Sequence, residues 1–334
     1  MGKKLLTVVV PTYNIESYIR KCIDSFKSIN DKYYDLFEVL VINDGSHDNS
    51  INVVEEMVNG SDLDLKIINK ENEGHGSTIN RGIKESKGKY FKVVDGDDWV
   101  DTLHFEQFLE KLSQVDVDMV ITDFTEQHIY DGSMVRINFN NNLEDGKVVQ
   151  SLPENRIPMH ALTYKLNVLK DNNITISENT FYVDIEYTLL PMKYVENYMY
   201  LNLDIYQYFL GRPDQSMNIN VMKQKSDHHE RVTKRILDFY HEIKLNRQLE
   251  KIVRDTLTYL IGKQCLLYLM NNDLSSIDGL FSYAEESNFN WKYDRKQKTT
   301  SLLYLNYKTK GVFSFVIHSI LSKKKKEISN SDVH

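Results

Sequence analysis

Four polar clusters in the first hundred residues carry the side chains most able to do chemistry. The sharpest is Asp95-Gly96-Asp97-Asp98, with three carboxylates directly after the apolar run at 90–94. Mutual repulsion makes such a cluster costly unless a cation or a set of donors offsets it. Magnesium and manganese are hard ions that take oxygen ligands and complete their shells with substrate phosphates. A solvated acidic turn is the competing reading. Placement after a strand favours a binding role, because ligands of open α/β sheets sit at the carboxyl ends of strands. Pro11-Thr12-Tyr13-Asn14 follows another apolar run, at 5–10. Its tyrosine can stack on a base, and its threonine and asparagine can bond the base edge. Taken alone it is equally a strand-to-helix turn. Asn43-Asp44-Gly45-Ser46 closes a third run, at 37–42. Its carboxylate could accept from the N3–H of a uracil, though Asp-Gly-Ser is also ordinary turn chemistry. Residues 72–78, Asn-Glu-Gly-His-Gly-Ser-Thr, open a helical pattern. There the glycines Gly74 and Gly76 admit close backbone approach, and a helix start offers N–H groups to phosphate. The segment is neither a dinucleotide fingerprint nor a P-loop, which argues against nicotinamide enzymes and ATPases.

These clusters need a scaffold that brings strand ends together. The runs at 5–10, 37–42, 65–69 and 90–94 predict buried strands, and the 3.6-residue spacing at 15–29, 50–58 and 77–86 predicts helices between them. That alternation gives an α/β fold with a mostly parallel sheet and helices on both faces. Beyond 100 the pattern predicts a helix at 102–112, a strand at 119–124, helices at 157–169 and 184–194, and an aromatic-rich strand at 198–209. Residues 125–150 are polar and Asn-rich and predict strands or a flexible loop. From about 226 the chain is helical and charged, with long helices expected at 231–245 and 251–270. The expected division is 1–100, 101–220 and a helical region 221–334.

The 334 residues are 41% hydrophobic and 27% charged, a globular balance, and the net charge of -7 excludes a general basic surface for nucleic acid. Two cysteines, Cys22 and Cys265, give neither a disulfide framework nor a zinc spacing, which suits a reducing cytoplasm. The first apolar run is short and ends at Pro11 without a cleavage site, so no signal peptide is expected. No stretch reaches the roughly 18 apolar residues of a spanning helix.

The ordered set PTYN, NDGS, NEG and DGDD resembles the family 2 glycosyltransferases of GT-A fold, among them bacterial surface-polysaccharide enzymes. The likeness weakens beyond about residue 215. It implies an inverting transfer of sugar from a UDP-sugar donor, with Mn2+ or Mg2+ on the diphosphate, to a glycan or lipid-linked acceptor. The nucleotide-sugar site it implies comprises Pro11, Thr12, Tyr13, Asn14, Asp44, Asn72, Gly74, His75, Asn80, Asp95, Gly96 and Arg212. Thr12, Tyr13 and Asp44 would hold the uridine. Asp97 would ligate the metal, with Asp95 on ribose or metal-bound water and Asp98 as an alternative ligand. Many members carry Ala-Arg-Asn after the glycine loop. Here the arginine slot holds Ile79, Asn80 matches, and His75 is a substitute for contact with phosphate. Residues 180–187 resemble the family's acidic pair, with Val183 in the glutamate position and Asp184 keeping the aspartate. Asp184 is therefore the expected catalytic base, with Glu186 the lesser choice because in a helix it points about 200° away. A capping role is the competing reading of Asp184. Arg212 and Ser216 resemble a segment that steadies the diphosphate. His228 is a further metal-ligand candidate, and His160 a candidate for lining the acceptor groove.

The end of the chain adds an apolar helical face from Val312 to Leu321 and then four lysines. That pattern predicts either contact of 311–326 with an anionic membrane surface or a docked helix with a solvated charge run. The first alternative, with a lipid-linked acceptor, would put the protein at the inner face of the membrane. The C-terminal helices could also pair two copies. Two rivals remain at this stage: a nucleotidyltransferase, which lacks its usual basic glycine loop here, and a non-catalytic sugar-nucleotide or glycan binder on the same fold.

Overall fold

The computed structural model describes residues 4–211, 218–243 and 246–314. The expectations placed on Arg212, Ser216 and residues 315–326 fall outside these segments. The chain divides into two compact units, 1–215 and 216–334.

The first unit begins with β1 (Leu6–Thr12), α1 (Ile19–Lys27), β2 (Phe37–Asp44), α2 (Ser50–Val58), β3 (Leu65–Lys70), α3 (His75–Glu85) and β4 (Tyr90–Val93). It continues with β5 (Trp99–Val100), α4 (Thr102–Leu112), β6 (Met119–His128), β7 (Met134–Ile137) and β8 (Val148–Val149). It closes with β9 (Leu162–Lys165), α5 (Leu166–Lys170), α6 (Asp184–Leu189) and β10 (Tyr198–Leu210). The main sheet runs β3-β2-β1-β4-β9-β6-β10-β5, with β7 on β6 and β8 on β10. β1 and β2 are buried along their whole lengths, as strands covered on both faces must be.

Chain direction explains where a crevice opens. The steps β1 to β2 and β2 to β3 move one way across the sheet, while β3 to β4 returns past β2 and β1. Right-handed crossovers then put α1 and α2 on one face and α3 on the other. The reversal falls between β1 and β4, which are parallel neighbours, and a reversal point is where such sheets bind ligands.

The sheet is less parallel than expected. β9 lies antiparallel between β4 and β6, so the sheet is mixed. Its residues fall in the stretch 157–169, predicted as one helix. Only Leu166–Lys170 is α-helical there, after a 3-10 turn at Met159–Ala161. The apolar spacing fitted both states, and Tyr164 and Leu162, fully buried against the sheet, decide for the strand. The strand expected at 119–124 runs on to His128 and turns back as β7. The polar stretch after it thus contributes strands as well as loop. The helix expected at 184–194 is α6 followed by a 3-10 turn, Leu190–Tyr194, with Pro191 at the junction. One sheet spans the expected halves on either side of residue 100, since β5 pairs with β10.

The second unit holds α7 (Ile219–Gln224), α8 (Ser226–Glu242), α9 (Arg247–Met270), α10 (Ser275–Glu286) and α11 (Lys298–Lys308). Val232, Ile236 and Leu237 of α8 and Val253, Leu257 and Leu260 of α9 are buried, the stripes that two packed amphipathic helices require. Among the described residues no helix is long and apolar enough to cross a membrane.

Candidate functional site

The loops that follow β1, β2, β3 and β4 meet at the carboxyl edge of the parallel strands, and each polar cluster is tied to another. Asn14 has a left-handed φ of 50°, tolerated by its short amide side chain. Its Oδ1 accepts from the His47 N–H at 2.8 Å, and its own N–H donates to the Ser46 hydroxyl. Thr12 is buried and donates to the Val10 carbonyl, whereas the Tyr13 ring is 46% exposed at the edge.

Asp44 fastens the end of β2 to the glycine loop. Its Oδ1 accepts from Lys70 Nζ at 2.8 Å and from the Glu73 N–H at 3.0 Å, and its Oδ2 accepts from the Gly74 N–H at 2.8 Å. Two of the N–H groups that the sequence offered to phosphate are thereby donated to a carboxylate. Asn72 is exposed beside this latch. Asn80 also serves the scaffold. Its amide donates to the Ile176 carbonyl at 2.9 Å and to Glu178 at 3.1 Å, and its Oδ1 accepts from the Ile176 N–H at 2.8 Å. Arg81 pairs with Glu85 along its own helix, and Ile79 is fully buried, so the start of α3 supplies no guanidinium to the crevice.

The acidic loop is held from below. Gly96 donates to the Pro11 carbonyl at 3.2 Å, and a Cβ there would meet the Pro11 carbonyl oxygen at 2.9 Å as well as Ile15 Cδ1 at 2.5 Å, which favours glycine. Asp98 is buried. It accepts from the Tyr206 hydroxyl and, at 2.7 Å, from the Phe209 N–H, while the Asp95 N–H donates to the same Tyr206 hydroxyl at 3.2 Å. Burial drives the Asp98 carboxyl well above its ordinary pKa, and the charges of Asp97 and Asp95 push further in that direction.

Asp95 Oδ1 lies 2.7 Å from His75 Nε2. Burial alone would lower the His75 pKa. The carboxylates of Asp95, Asp184 and Asp97 outweigh it, and the value is raised. The charge of Asp184, the expected base, is thus among those that act on His75. Asp184, in the first turn of α6, has its pKa raised by burial. Arg156 and His75 pull it back, and Asp95 adds to the rise. Glu186 faces the other way. It is fully buried, and its Oε2 accepts from the Ser177 N–H at 2.8 Å, bracing the segment that leads into α6.

His160 is in the acidic cluster rather than apart from it. One of its ring nitrogens and oxygens of Asp95 and Asp98 lie within 4.8 Å of one another, the one grouping of this kind among the described residues. Its ring stacks on Tyr208 at 4.0 Å between centroids and meets Tyr206 edge-on at 4.8 Å. Burial pulls its pKa down to about 4. Asp95 opposes that, while Lys92 and Arg156 add to it, so the imidazole is neutral at physiological pH. His228 is in α8 of the second unit, with Nε2 3.8 Å from Asp227, and is not part of this grouping.

A divalent cation fits this donor set. The oxygens are hard, they converge at the carboxyl edge of the sheet, and the Asp98 pKa is forced upward by burial and then by two neighbouring charges that a cation would balance. Asp95, with Asp98 or Asp97, would hold Mn2+ or Mg2+.

Three residues in and under the site went unread in the sequence. Lys92 is fully buried. Its ammonium donates to the carbonyls of His160 at 2.8 Å and Leu162 at 3.2 Å, and burial lowers its pKa to about 7. A lysine inside the apolar run Tyr90-Phe91-Lys92-Val93 was the available signal. Arg156, which donates to the Thr188 hydroxyl at 3.3 Å, comes from a polar stretch without pattern and gave no signal. Tyr206 was hidden among the many aromatics of β10.

Comparison with known proteins agrees with this geometry. Residues 7–170 match the family model described as Glycosyl transferase family 2. The chain is 33% identical over 127 residues to the putative glycosyltransferase EpsH of Bacillus subtilis, covering 38% of this chain and 36% of that protein. It is 29% identical over 199 residues to the teichoic acid poly(glycerol phosphate) polymerase of Staphylococcus epidermidis, covering 58% of this chain and 27% of that one. The matches thus span about a third of these relatives' lengths or less. The crystal structure of S. aureus TarS 1-349 in complex with UDP-GlcNAc superposes with a TM-score of 0.59 at 17% identity, covering 90% of this chain and 92% of that one. The fold is GT-A, and residues 7–170 of the chain are similar to glycosyl transferase family 2.

Proposed function

We propose that this protein transfers a sugar from a UDP-sugar to a hydroxyl of a glycan or lipid-linked acceptor, with inversion, in the assembly of a bacterial surface polysaccharide at the inner face of the membrane. The observation that carries the reading is the 2.7 Å contact of His75 Nε2 with Asp95 Oδ1 at the reversal point of the sheet, where the charge of Asp184 also acts on His75. A carboxylate there can take the acceptor's proton as its oxygen attacks the anomeric carbon from the face opposite the leaving diphosphate. Burial raises the pKa of Asp184, which strengthens it as a base. Arg156 and His75 oppose the rise. Tyr13 offers its exposed ring to the nucleobase, and Asp44 holds the glycine loop that precedes α3. A divalent cation, when bound at Asp95 with Asp97 or Asp98, supplies the positive charge that stabilises the departing diphosphate. UDP-GlcNAc in TarS, and the surface-polymer names among the relatives, support the donor and acceptor classes.

The test is UDP release from a panel of UDP-sugars with and without Mn2+, for the native protein and for Asp184→Asn. Metal-dependent release that disappears in the variant, with UDP binding retained, is the expected outcome. Unchanged turnover in Asp184→Asn would remove that residue from the role, and binding without any release would make the protein a sugar-nucleotide binder.

A further inference from the structure

The imidazole of His160 has no evident task in the transfer described above, yet it is placed with unusual care. Its backbone is pinned from beneath, where the His160 carbonyl accepts from the buried ammonium of Lys92 at 2.8 Å. Its ring is fixed from the sides by Tyr208 and Tyr206. Its Nδ1 is buried and has no hydrogen-bond partner, a costly state unless something compensates it. A ring nitrogen stands within 4.8 Å of oxygens of both Asp95 and Asp98. Donors this close, brought from the acidic loop and from the distant turn at Met159–Ala161, are the arrangement of a coordination shell rather than of a solvated surface.

We propose that His160 is a nitrogen ligand of the divalent cation, completing with Asp95 and Asp98 a shell of mixed character that prefers Mn2+ to Mg2+. The proposal rests on the metal-dependent reading of the site and names the residue that sets its metal preference. Mg2+ is small, dehydrates reluctantly and is served by oxygen donors, whereas an imidazole donor shifts a site toward the transition metals. The hydrogen bonds that Asp98 accepts from Tyr206 and Phe209 leave lone pairs on its carboxylate and orient it, which is what outer partners of metal ligands do. Asp97 lies outside the grouping.

Mn2+ alone, added to the full chain, is the probe. Pulsed electron paramagnetic resonance should detect a coupled imidazole nitrogen on the bound ion. In His160→Gln, which keeps a polar side chain of similar reach, that coupling should vanish and the Mn2+ dissociation constant should rise about tenfold or more, with a smaller change for Mg2+. Thermal unfolding of the variant, compared with the native protein, verifies that the fold is kept. If His160→Gln does not fold, Lys92→Met, which releases the His160 carbonyl without touching the ring, should weaken Mn2+ binding in the same direction. A bound Mn2+ with no nitrogen coupling, or coupling that persists in His160→Gln, overturns the assignment and leaves the proposed transfer standing. Absence of any bound Mn2+ overturns both the assignment and the metal dependence.

Discussion

Gly76 is where the donor side and the base side of the crevice touch, and Gly76→Ala tests whether that contact sets the geometry of catalysis. A Cβ at this position would come within 2.1 Å of the Ser177 carbonyl oxygen and 3.0 Å of Ile176 Cγ2. Side chains do not approach a backbone oxygen much closer than 3 Å, so one element must retreat by about 1 Å. α3 is the stiffer of the two: Gly76, Ser77, Thr78 and Ile79 are all buried, and Asp44 holds its approach. The segment at 174–180 should therefore yield. It is tied to α3 by Asn80 and to α6 by Glu186, and Asp184 begins α6. Overpacking of this kind costs about 1–3 kcal/mol of stability. A shift of about 1 Å at a catalytic group can lower turnover on the order of 100-fold. The expected result is a turnover reduced about 100-fold, UDP affinity changed less than about threefold, and a modest loss of stability. The assays are UDP release, UDP titration and urea unfolding. Native turnover in a stably folded Gly76→Ala protein would refute the idea that this contact sets the position of Asp184.

Lys92→Met should make stability less dependent on alkaline pH. The lysine's folded pKa of about 7 lies below its unfolded value of about 10.5, so the unfolded chain binds the extra proton between them. The native protein consequently gains stability as pH rises through that window, and its cost from Lys92 is fully present below about pH 7. Between about pH 6 and pH 9.5 the stability difference between variant and native protein should change by about 3 kcal/mol in the native protein's favour. Parallel urea-unfolding curves for the two proteins across that range would contradict it. Gly279→Ala lies on the exposed face of α10, with nothing within 4 Å of a new Cβ. It should raise the stability of the helical unit by about 0.5–1 kcal/mol without changing turnover, as urea unfolding and UDP release would report.

The first hundred residues were legible because each strand is a short apolar run that ends at polar turn chemistry, so pattern and placement coincide. The residues around 160 were not. An alternation of apolar and polar positions over four residues is too brief to separate a strand from a helix, and β9 is selected by the gap between β4 and β6 that it fills. The site divides the same way. Asp95 and His75, whose types and positions after strand ends had pointed to that edge, are in contact, whereas Asp184 was reached only through the family resemblance. Asp44 and Asn80 proved to have internal hydrogen-bond partners that no local pattern encodes, because those partners lie 26 to 98 positions away. His160 entered the acidic grouping only because Lys92, Tyr206 and Tyr208 hold it there, and such support is a property of the tertiary structure.

The strut from Tyr206 has a bearing on protein engineering. Asp98 takes its two hydrogen bonds from a strand 108 and 111 positions downstream, and the neighbouring β5 exists only by pairing with that strand. A fragment cut after the acidic loop would keep all four signature clusters and lose the floor beneath the last of them. Chimaeras between relatives should accordingly exchange β5 and β10 as a pair, since a crossover placed between them would join a loop to a support shaped for another.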